Sequence, residues 1–194
     1  MDTCDRRDFL QKLAAAGALA AGAFAPIAAG RQITATETQV IGTNEGDTAV
    51  ATQDNASRIY SLYDAVNRKD LNAIADFGVP SSEWLDVPFN FTSTGTSAII
   101  DPWKSWFDIF PDATCEVRSL VALGDHVVAQ GIGRGTHRGV FNSPAGKLQP
   151  TGRTMAVNFC DVYRLESGKI VRADSYFDFY GLLRQLAPEL AKAA

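Results

Sequence analysis

The chain has 194 residues, which is enough for one domain with a substantial hydrophobic core. Its formal net charge is −4, and acidic and basic residues are interspersed, so no basic patch indicates a nucleic-acid partner. Once the N-terminal segment is set aside, no apolar run is long enough to span a bilayer, and we predict no membrane association for the mature chain.

The first 30 residues show the three regions of an export signal in the expected order. Arg6 and Arg7 come first, a weakly apolar run follows over 13–25, and small residues stand at 28–30. This order resembles a twin-arginine signal peptide, although Asp5 occupies a position where that signal usually has serine or threonine. The resemblance implies transport to the periplasm or the exterior, with cleavage among the small residues. The alternative is an amphipathic N-terminal helix with an incidental arginine pair.

Residues 31–55 are rich in Thr, Ala, Gly, Asn and Gln and show no useful periodicity. This composition is typical of a flexible linker. We therefore predict a linker over 31–55 and one folded domain over 56–194.

Three helices are predicted in the first half of that domain, from apolar residues at helical spacing. They are expected at about 57–66, 71–77 and 98–110. The segment 84–87 is predicted to be a short strand, and the polar segment 88–96 a loop over the mouth of a pocket.

The second half of the domain predicts antiparallel strands at 113–123, 126–140, 154–165 and 171–179, with a loop over 142–152. Four glycines in the second of these strands indicate a bulge or a sharp bend. Helices followed by a run of strands indicate an α+β fold, in which one curved antiparallel sheet wraps around the helices.

A carboxylate stands on the apolar face of the third predicted strand. Alternation places Asp161 on the side that faces the core, and its neighbours on that side are Met155, Val157, Phe159 and Tyr163. The inward positions of the following strand are Val171, Ala173, Ser175, Phe177 and Phe179. Asp178 is predicted to cap a helix that begins near Tyr180. A lone carboxylate among apolar inward neighbours is uncommon, so Asp161 is the first candidate for a functional residue.

Seven short motifs occur in order over about 57–186. They are FPD at 110–112, GDHVV at 124–128, GTHRGVF at 135–141, PTGR at 150–153, DVYR at 161–164, GKI at 168–170 and DFYGLLRQL at 178–186. Together they resemble the SnoaL-like polyketide cyclases, also called ester cyclases, of the nuclear-transport-factor-2-like and ketosteroid-isomerase-like superfamily. The resemblance implies a cone-shaped α+β barrel with one deep, largely apolar pocket.

The resemblance also implies chemistry. These cyclases close a ring by an intramolecular aldol reaction, without metal or organic cofactor. A carboxylate removes an acidic C–H proton and hydrogen-bond donors hold the enolate. Their acid/base aspartate lies on the last strand, where this chain has Ser175, and the adjacent Asp174 has outward parity. The loop before 150–153 is longer than is usual in the family.

Two residues are candidates for catalysis. Asp161 is a candidate general base, and the alternative is a structural carboxylate hydrogen-bonded to Arg134 or Tyr163. His137 is a candidate acid/base group, and the alternative is a hydrogen-bonding partner between strands. A flat hydrophobic substrate is expected to contact the wall residues. These candidates are Trp84, Trp103, Phe107, Arg134, Phe159, Tyr163, Ser175 and Phe177.

The sequence predicts neither a metal site nor a cofactor. It has two histidines, no Cys or His cluster at ligand spacing, and no glycine-rich loop that opens a helix. Cys115 and Cys160 are predicted to be free thiols, because they lie on strands separated by another strand, roughly 10 Å apart.

Three functions remain open at this point. The first is an exported, cofactor-independent lyase or isomerase that acts on a hydrophobic carbonyl compound by aldol or enolisation chemistry. The second is a non-catalytic protein that binds a small hydrophobic ligand in the same pocket. The third is an epoxide hydrolase-like enzyme, which needs two carboxylates bridged by an arginine, here Asp161, Asp174 and Arg134.

The oligomeric state is also open. Relatives of this fold often pair through the outer face of the sheet. That face is expected to carry Asn158, Cys160, Val162 and Arg164, a mixture that allows a homodimer without requiring one.

Overall fold

The computed structural model of the protein describes residues 45–143 and 146–188, with the backbone alone for 45–53. The predicted export signal at 1–30 and the part of the predicted linker at 31–44 lie outside the described residues. Within the described ranges no helix is both long and apolar enough to cross a membrane.

Four α-helices and two single 3-10 turns make up the helical part of the described chain. The helices are α1 (Glu45–Arg68), α2 (Leu71–Ala75), α3 (Ile100–Ile109) and α4 (Phe179–Leu186), and the 3-10 turns are Val87–Phe89 and Thr96–Ala98. The helix α1 includes 45–55, which the sequence analysis assigned to the linker. Residues such as alanine and glutamine have good helix propensity, so a helix can extend beyond its apolar face.

Caps define two of the helix starts. The Asp70 side chain accepts a hydrogen bond from the Ala73 N–H at 3.0 Å at the start of α2. The Asp178 side chain accepts from the Gly181 N–H at 2.7 Å at the start of α4. The capping role predicted for Asp178 is thereby confirmed.

The strands form one six-stranded sheet and a small hairpin. The sheet contains β1 (Glu83–Asp86), β2 (Phe91–Thr94), β3 (Thr114–Leu123), β4 (His126–Thr136), β7 (Thr154–Glu166) and β8 (Lys169–Phe177), and the hairpin pairs β5 (Phe141–Ser143) with β6 (Gly146–Leu148). The strand order in the sheet is β2-β1-β8-β7-β4-β3. The α+β architecture with a curved sheet is as predicted.

Three details of the sheet correct the prediction. The sheet is mixed, because β1 pairs in parallel with β8, and strands so far apart in sequence are not constrained to the antiparallel direction of a hairpin. The segment 88–96, predicted as a loop, contains the edge strand β2. The strand predicted over 126–140 ends at Thr136, and part of the predicted loop 142–152 forms the β5–β6 hairpin.

The helix α1 packs its apolar face on the inner face of the sheet. Its buried residues are Ile59, Leu62, Tyr63, Ala65 and Val66. The same cluster includes residues from β1, β3, β4, β7 and β8, so this helix covers one half of the concave side. A second cluster around Phe110, Phe141 and Leu182 covers the end where α3, α4 and the hairpin meet.

Close packing by a neighbouring strand and an aromatic ring explains why one of the four glycines in the predicted strand 126–140 has to be glycine. A Cβ on Gly131 would overlap the Glu116 carbonyl oxygen and the Phe159 ring. Glycine therefore permits β3 and the Phe159 side chain to pack directly on the β4 backbone. The nearby pairing of β3 with β4 shifts register between Val117 and Ser119, which is the irregularity that the glycine-rich strand indicated.

The two described cysteines are free, as predicted. Cys115 is buried on β3, and Cys160 is partly exposed on β7, with β4 between the two strands.

Candidate active site

A buried carboxyl group lies at the centre of the concave face. Asp161 is on β7 and only 2% exposed. The Tyr63 hydroxyl donates to Asp161 Oδ2 at 2.7 Å, and the Tyr163 hydroxyl donates to the same oxygen at 3.2 Å. The Ser175 hydroxyl donates to Asp161 Oδ1 at 2.7 Å. Three hydroxyl groups thus surround one carboxyl group.

The protons in this cluster can be counted. Tyr63 and Tyr163 also contact each other, with 3.0 Å between their hydroxyl oxygens. The cluster therefore has four short oxygen–oxygen contacts, while the three hydroxyls bring three protons. A proton on Asp161 is the fourth proton, so each of the four contacts can be a hydrogen bond when the carboxyl group is protonated.

Burial sets the electrostatics of the cluster. Desolvation raises the pKa of Asp161 to about 6, and the hydroxyl donors act in the opposite direction because they stabilise the carboxylate. Burial, and then the neighbouring charge of Asp161, raises the pKa of Tyr63 and of Tyr163 well above the usual value. The tyrosines consequently stay protonated while Asp161 titrates near neutrality.

Asp161 opens onto a small, partly open space, here called the deep cavity. Its volume is about 80 Å³, and α3 faces the sheet across it. It is lined by Trp84, Asp86, Pro102, Trp103, Trp106, Cys115, Phe159, Asp161, Ser175 and Phe177. Apart from the two carboxyl groups and Ser175, the walls are mostly aromatic.

A second space of about 230 Å³, here called the outer pocket, adjoins the deep cavity. The two share the residues Asp86, Pro102, Trp106 and Phe177. The outer pocket also contacts β2 and the β5–β6 hairpin through Phe91, Ser93, Phe141 and Asn142. A ligand can therefore place a small reactive group beside Asp161 and its larger part in the outer pocket.

Six of the predicted site residues line the deep cavity. They are Asp161, Trp84, Trp103, Phe159, Ser175 and Phe177. Tyr163 is fully buried behind Asp161. Its link to the cavity is the hydrogen bond that its hydroxyl donates to the Asp161 carboxyl group. Phe107 packs between the two hydrophobic clusters, not on the cavity wall.

Arg134 lies outside the cavity, contrary to its prediction as a ligand contact. Its side chain is exposed on β4 and forms a salt bridge of 2.8 Å with Glu116. The residues Val127 and Ala129 of the same strand are buried, so alternation places position 134 on the other face. The suggested hydrogen bond from Arg134 to Asp161 is absent, whereas the suggested one from Tyr163 is present.

The arrangement required for an epoxide hydrolase-like site is not formed. Asp174 pairs with Arg172 at 2.7 Å on the outer side of β8. Among the described residues that line the deep cavity, none is arginine, lysine or histidine. The third function is therefore wrong, because no arginine bridges two carboxylates.

His137 is also separate from the cavity. Its ring is buried, lies 5.7 Å from the Phe110 ring, and accepts the Thr151 N–H at Nδ1 at 3.3 Å. Its backbone N–H donates to the Arg153 carbonyl at 2.9 Å. Burial lowers the pKa of His137. The residue therefore anchors the segment before β7, away from the deep cavity.

Sequence reasoning missed a second carboxyl group in the cavity. Asp86 ends β1, directly beside Ser175 in the parallel pairing with β8, and accepts from Trp84 Nε1 at 3.1 Å. Burial raises its pKa, and its charge contributes to raising the pKa of Asp161. The sequence did carry a signal for Asp86, because Trp84 and Asp86 are two residues apart and so lie on the same face of the strand.

Tyr63, Pro102 and Cys115 were missed as well. Tyr63 was predicted only as part of the apolar face of a helix, although its hydroxyl was a clue to a buried polar partner. Burial raises the pKa of the Cys115 thiol to about 12, so this cysteine is not a nucleophile at neutral pH.

A curved sheet with helices on its concave side and a carboxyl group in the cavity between them is the α+β architecture of the nuclear-transport-factor-2-like fold. The sequence model of the SnoaL-like polyketide cyclase family matches residues 57–186. The chain belongs to this family.

Solved structures share the fold. A protein from Jannaschia sp. CCS1, proposed to be a SnoaL-like polyketide cyclase, is 18% identical with a TM-score of 0.63, over 71% of this chain and 94% of that one. IdmH from Streptomyces antibioticus, proposed to be a polyketide cyclase, is 26% identical with a TM-score of 0.58, over 68% of this chain and 97% of that one.

A third structure carries a bound small molecule. It is a protein with a ketosteroid isomerase-like fold from Catenulispora acidiphila DSM 44928, in complex with trimethylamine. It is 18% identical with a TM-score of 0.56, over 66% of this chain and 91% of that one. No curated protein matches the chain at a significant level.

Proposed function

We propose that this protein is a cofactor-independent lyase or isomerase of the polyketide cyclase type, which acts on a hydrophobic carbonyl compound by proton transfer at carbon. The observation that carries the proposal is the buried carboxyl group of Asp161 on the wall of an aromatic cavity, with its pKa raised to about 6. A general base works best when its pKa lies near the working pH.

In the proposed reaction the Asp161 carboxylate takes a proton from the carbon next to the substrate carbonyl. The electron pair of that C–H bond forms the enolate, and its charge develops on the carbonyl oxygen. The enolate then attacks a second carbonyl carbon, in an aldol closure, or takes the proton back at another carbon, in an isomerisation. The proton held by Asp161 returns to the product in either case.

The hydroxyl cluster supports both states of Asp161. The Ser175, Tyr63 and Tyr163 donors stabilise the carboxylate, and the tyrosine–tyrosine contact completes the network when the carboxyl is protonated. Asp86 is a second carboxyl group in the same cavity, and its position at the junction with the outer pocket puts it within the path of the ligand.

A non-catalytic binding protein is the second candidate. Both oxygens of Asp161 are occupied by hydroxyl donors, and Ser175 replaces the aspartate that the family resemblance leads us to expect. The trimethylamine complex of the Catenulispora protein supports small-molecule binding by this fold as a further option.

Solvent deuterium exchange separates these two candidates. Wild type and Asp161→Asn are incubated with a panel of aromatic and polyketide-like ketones in D2O, and deuterium at the acidic carbon is followed by NMR. Loss of the base should lower the exchange rate about 100- to 10,000-fold. Asp174→Asn is the matched control, because this carboxylate lies on the outer side of the sheet. Tight binding of a ketone with exchange at the buffer rate in all three proteins would establish the carrier.

Export and the absence of a metal or organic cofactor are further parts of the proposal. They follow from residues 1–30 and from the family resemblance. A homodimer through the outer sheet face also remains a prediction. A shallow groove of about 490 Å³ on that face is lined in part by Gln130, Asn158, Cys160 and Tyr176. Light scattering of the purified protein determines whether this face pairs two copies.

A further inference from the structure

Trp103, a wall residue of the deep cavity, carries a hydrogen-bond donor that has no acceptor among the described residues. Trp103 is 8% exposed and lies on α3, and its Nε1 is a buried atom without a hydrogen-bond partner among the described residues. Buried polar groups are nearly always paired, and an unpaired donor costs stability. Such a donor therefore calls for an explanation, and a bound acceptor is one.

The neighbouring tryptophan shows the contrast. Trp84 lines the same cavity, but its Nε1 donates to Asp86 Oδ1 at 3.1 Å. The unpaired donor of Trp103 is consequently a property of that one side chain, not of the aromatic wall in general.

The Trp103 ring is held firmly in place. It packs edge-to-face on Tyr63 at 6.2 Å and on Trp84 at 5.8 Å between ring centroids. Both neighbours are themselves bound to carboxyl groups, Tyr63 to Asp161 and Trp84 to Asp86. A donor fixed in this way needs little reorganisation when an acceptor arrives.

We propose that the Trp103 indole N–H donates a hydrogen bond to the carbonyl oxygen of the molecule in the deep cavity. Asp161 and Trp103 both line the deep cavity, so in this arrangement the carboxyl group takes the C–H proton and the indole N–H holds the oxygen. As the proton moves to Asp161, charge develops on the carbonyl oxygen, and the N–H bond of Trp103 stabilises it without giving up its own proton. The catalytic part of this inference rests on the proposed function, whereas the binding part does not.

Among the described residues, the other buried side-chain atom without a partner is Nε2 of His137, and it does not compete for this role. His137 is not among the lining residues of the deep cavity or of the outer pocket. The remaining polar groups of the deep cavity are acceptors or are already engaged. The carboxyl groups of Asp86 and Asp161 accept hydrogen bonds, and the Ser175 hydroxyl donates to Asp161.

The test compares acetophenone with α-methylstyrene, in which a CH2 group replaces the carbonyl oxygen at nearly the same shape. Protein labelled with 15N-tryptophan gives three indole N–H signals, assigned with Trp84→Phe, Trp103→Phe and Trp106→Phe. We expect acetophenone to move the Trp103 signal downfield and α-methylstyrene to leave it in place. An unmoved Trp103 signal at saturating acetophenone would overturn the proposal, and the shift itself is measured on the folded wild type.

Binding and exchange provide the second readout. Trp103→Phe should weaken acetophenone about 2- to 10-fold and leave α-methylstyrene unchanged, since it removes one net hydrogen bond. It should lower deuterium exchange about 100- to 1,000-fold, as expected for an oxyanion donor. Equal exchange by wild type and Trp103→Phe, at a rate above that of the buffer, would leave the proposed function intact and refute the catalytic role of the Trp103 donor. A downfield shift with no exchange in any protein would retain the donor and refute catalysis.

Discussion

Ser175 lies directly opposite Asp161 in the β7–β8 register, and its hydroxyl donates to Asp161 Oδ1 at 2.7 Å. An aspartate at position 175, as the family resemblance leads us to expect, would place a second carboxyl group within hydrogen-bonding distance of the first. With serine there, the cavity keeps one carboxyl group at its centre and another, Asp86, towards the outer pocket. Under the proposed function, the acid/base role therefore moves from the last strand to its neighbour.

Removing the Ser175 hydroxyl should raise the pKa of Asp161. The hydroxyl stabilises the carboxylate, so Ser175→Ala should move the titration midpoint from about 6 towards 7, given about 1 kcal/mol for one hydrogen bond. Carbon-13 NMR of aspartate carboxyls, with Asp161→Asn to assign the signal, measures the midpoint. Ser119→Ala on the exposed part of β3 is the control. An unchanged or lower midpoint would show that the hydroxyl does not favour the ionised form.

Introducing an aspartate at position 175 should increase enolisation. Two carboxyl groups so close share protons, and one of them keeps its proton to a higher pH. We expect Ser175→Asp to raise the rate of deuterium exchange of a polyketide-like ketone above that of wild type. Stability should fall by about 1–3 kcal/mol, because a polar group in an apolar cavity lacks a full set of partners. Ser175→Asn, which is neutral and of the same size, should lose stability without the gain in rate.

Asp161 should make the protein less stable as the pH rises. Its pKa is raised from 3.8 to about 6 on folding, so the native state binds the proton more tightly than the unfolded chain. The contribution is favourable at low pH and is lost as the pH rises from about 4 to above 6, by roughly 3 kcal/mol at 1.36 kcal/mol per pH unit.

Denaturant unfolding at several pH values between 4 and 8 measures this effect. Carboxyls with lowered pKa, such as those of Asp112 and Glu116, act in the opposite direction, so the informative quantity is the difference between wild type and Asp161→Asn. We expect wild type to lose about 2 kcal/mol relative to the variant between pH 4 and 8, because the unfolded chain is already partly ionised at pH 4. A difference that stays constant with pH would mean that Asp161 is ionised throughout.

Export should depend on the arginine pair. If Arg6 and Arg7 form a twin-arginine signal, lysines at both positions should leave full-length protein in the cytoplasm, whereas Arg31→Lys should have no effect. Cell fractionation with mass measurement of the N-terminus reads out both location and cleavage. Unchanged export of the double-lysine variant would refute the signal.

Local patterns in the sequence were enough for the inner face of β7 and β8. A strand exposes alternate residues on opposite faces, and that rule alone placed Asp161, Ser175 and Phe177 on the concave side, where the structure finds them. The cap at Asp178 followed in the same way, since its hydrogen bond joins groups three residues apart. The order of helices and strands indicated the α+β class for a similar reason, because each element carries its own periodicity.

Only the tertiary structure decided which groups bind Asp161 and that Asp86 lies in the same cavity. Tyr63 reaches Asp161 because α1 crosses the concave face, and Asp86 reaches Ser175 because β1 joins β8 in parallel, a pairing that no hairpin enforces. The prediction that Arg134 contacts the ligand was wrong. The residues beside it on β4 are glycines, which have no side chain that would indicate which face of the strand is inward. The unpaired donor of Trp103 was equally invisible, since a hydrogen bond is a relation between groups brought together from distant parts of the chain, and periodicity describes only neighbours.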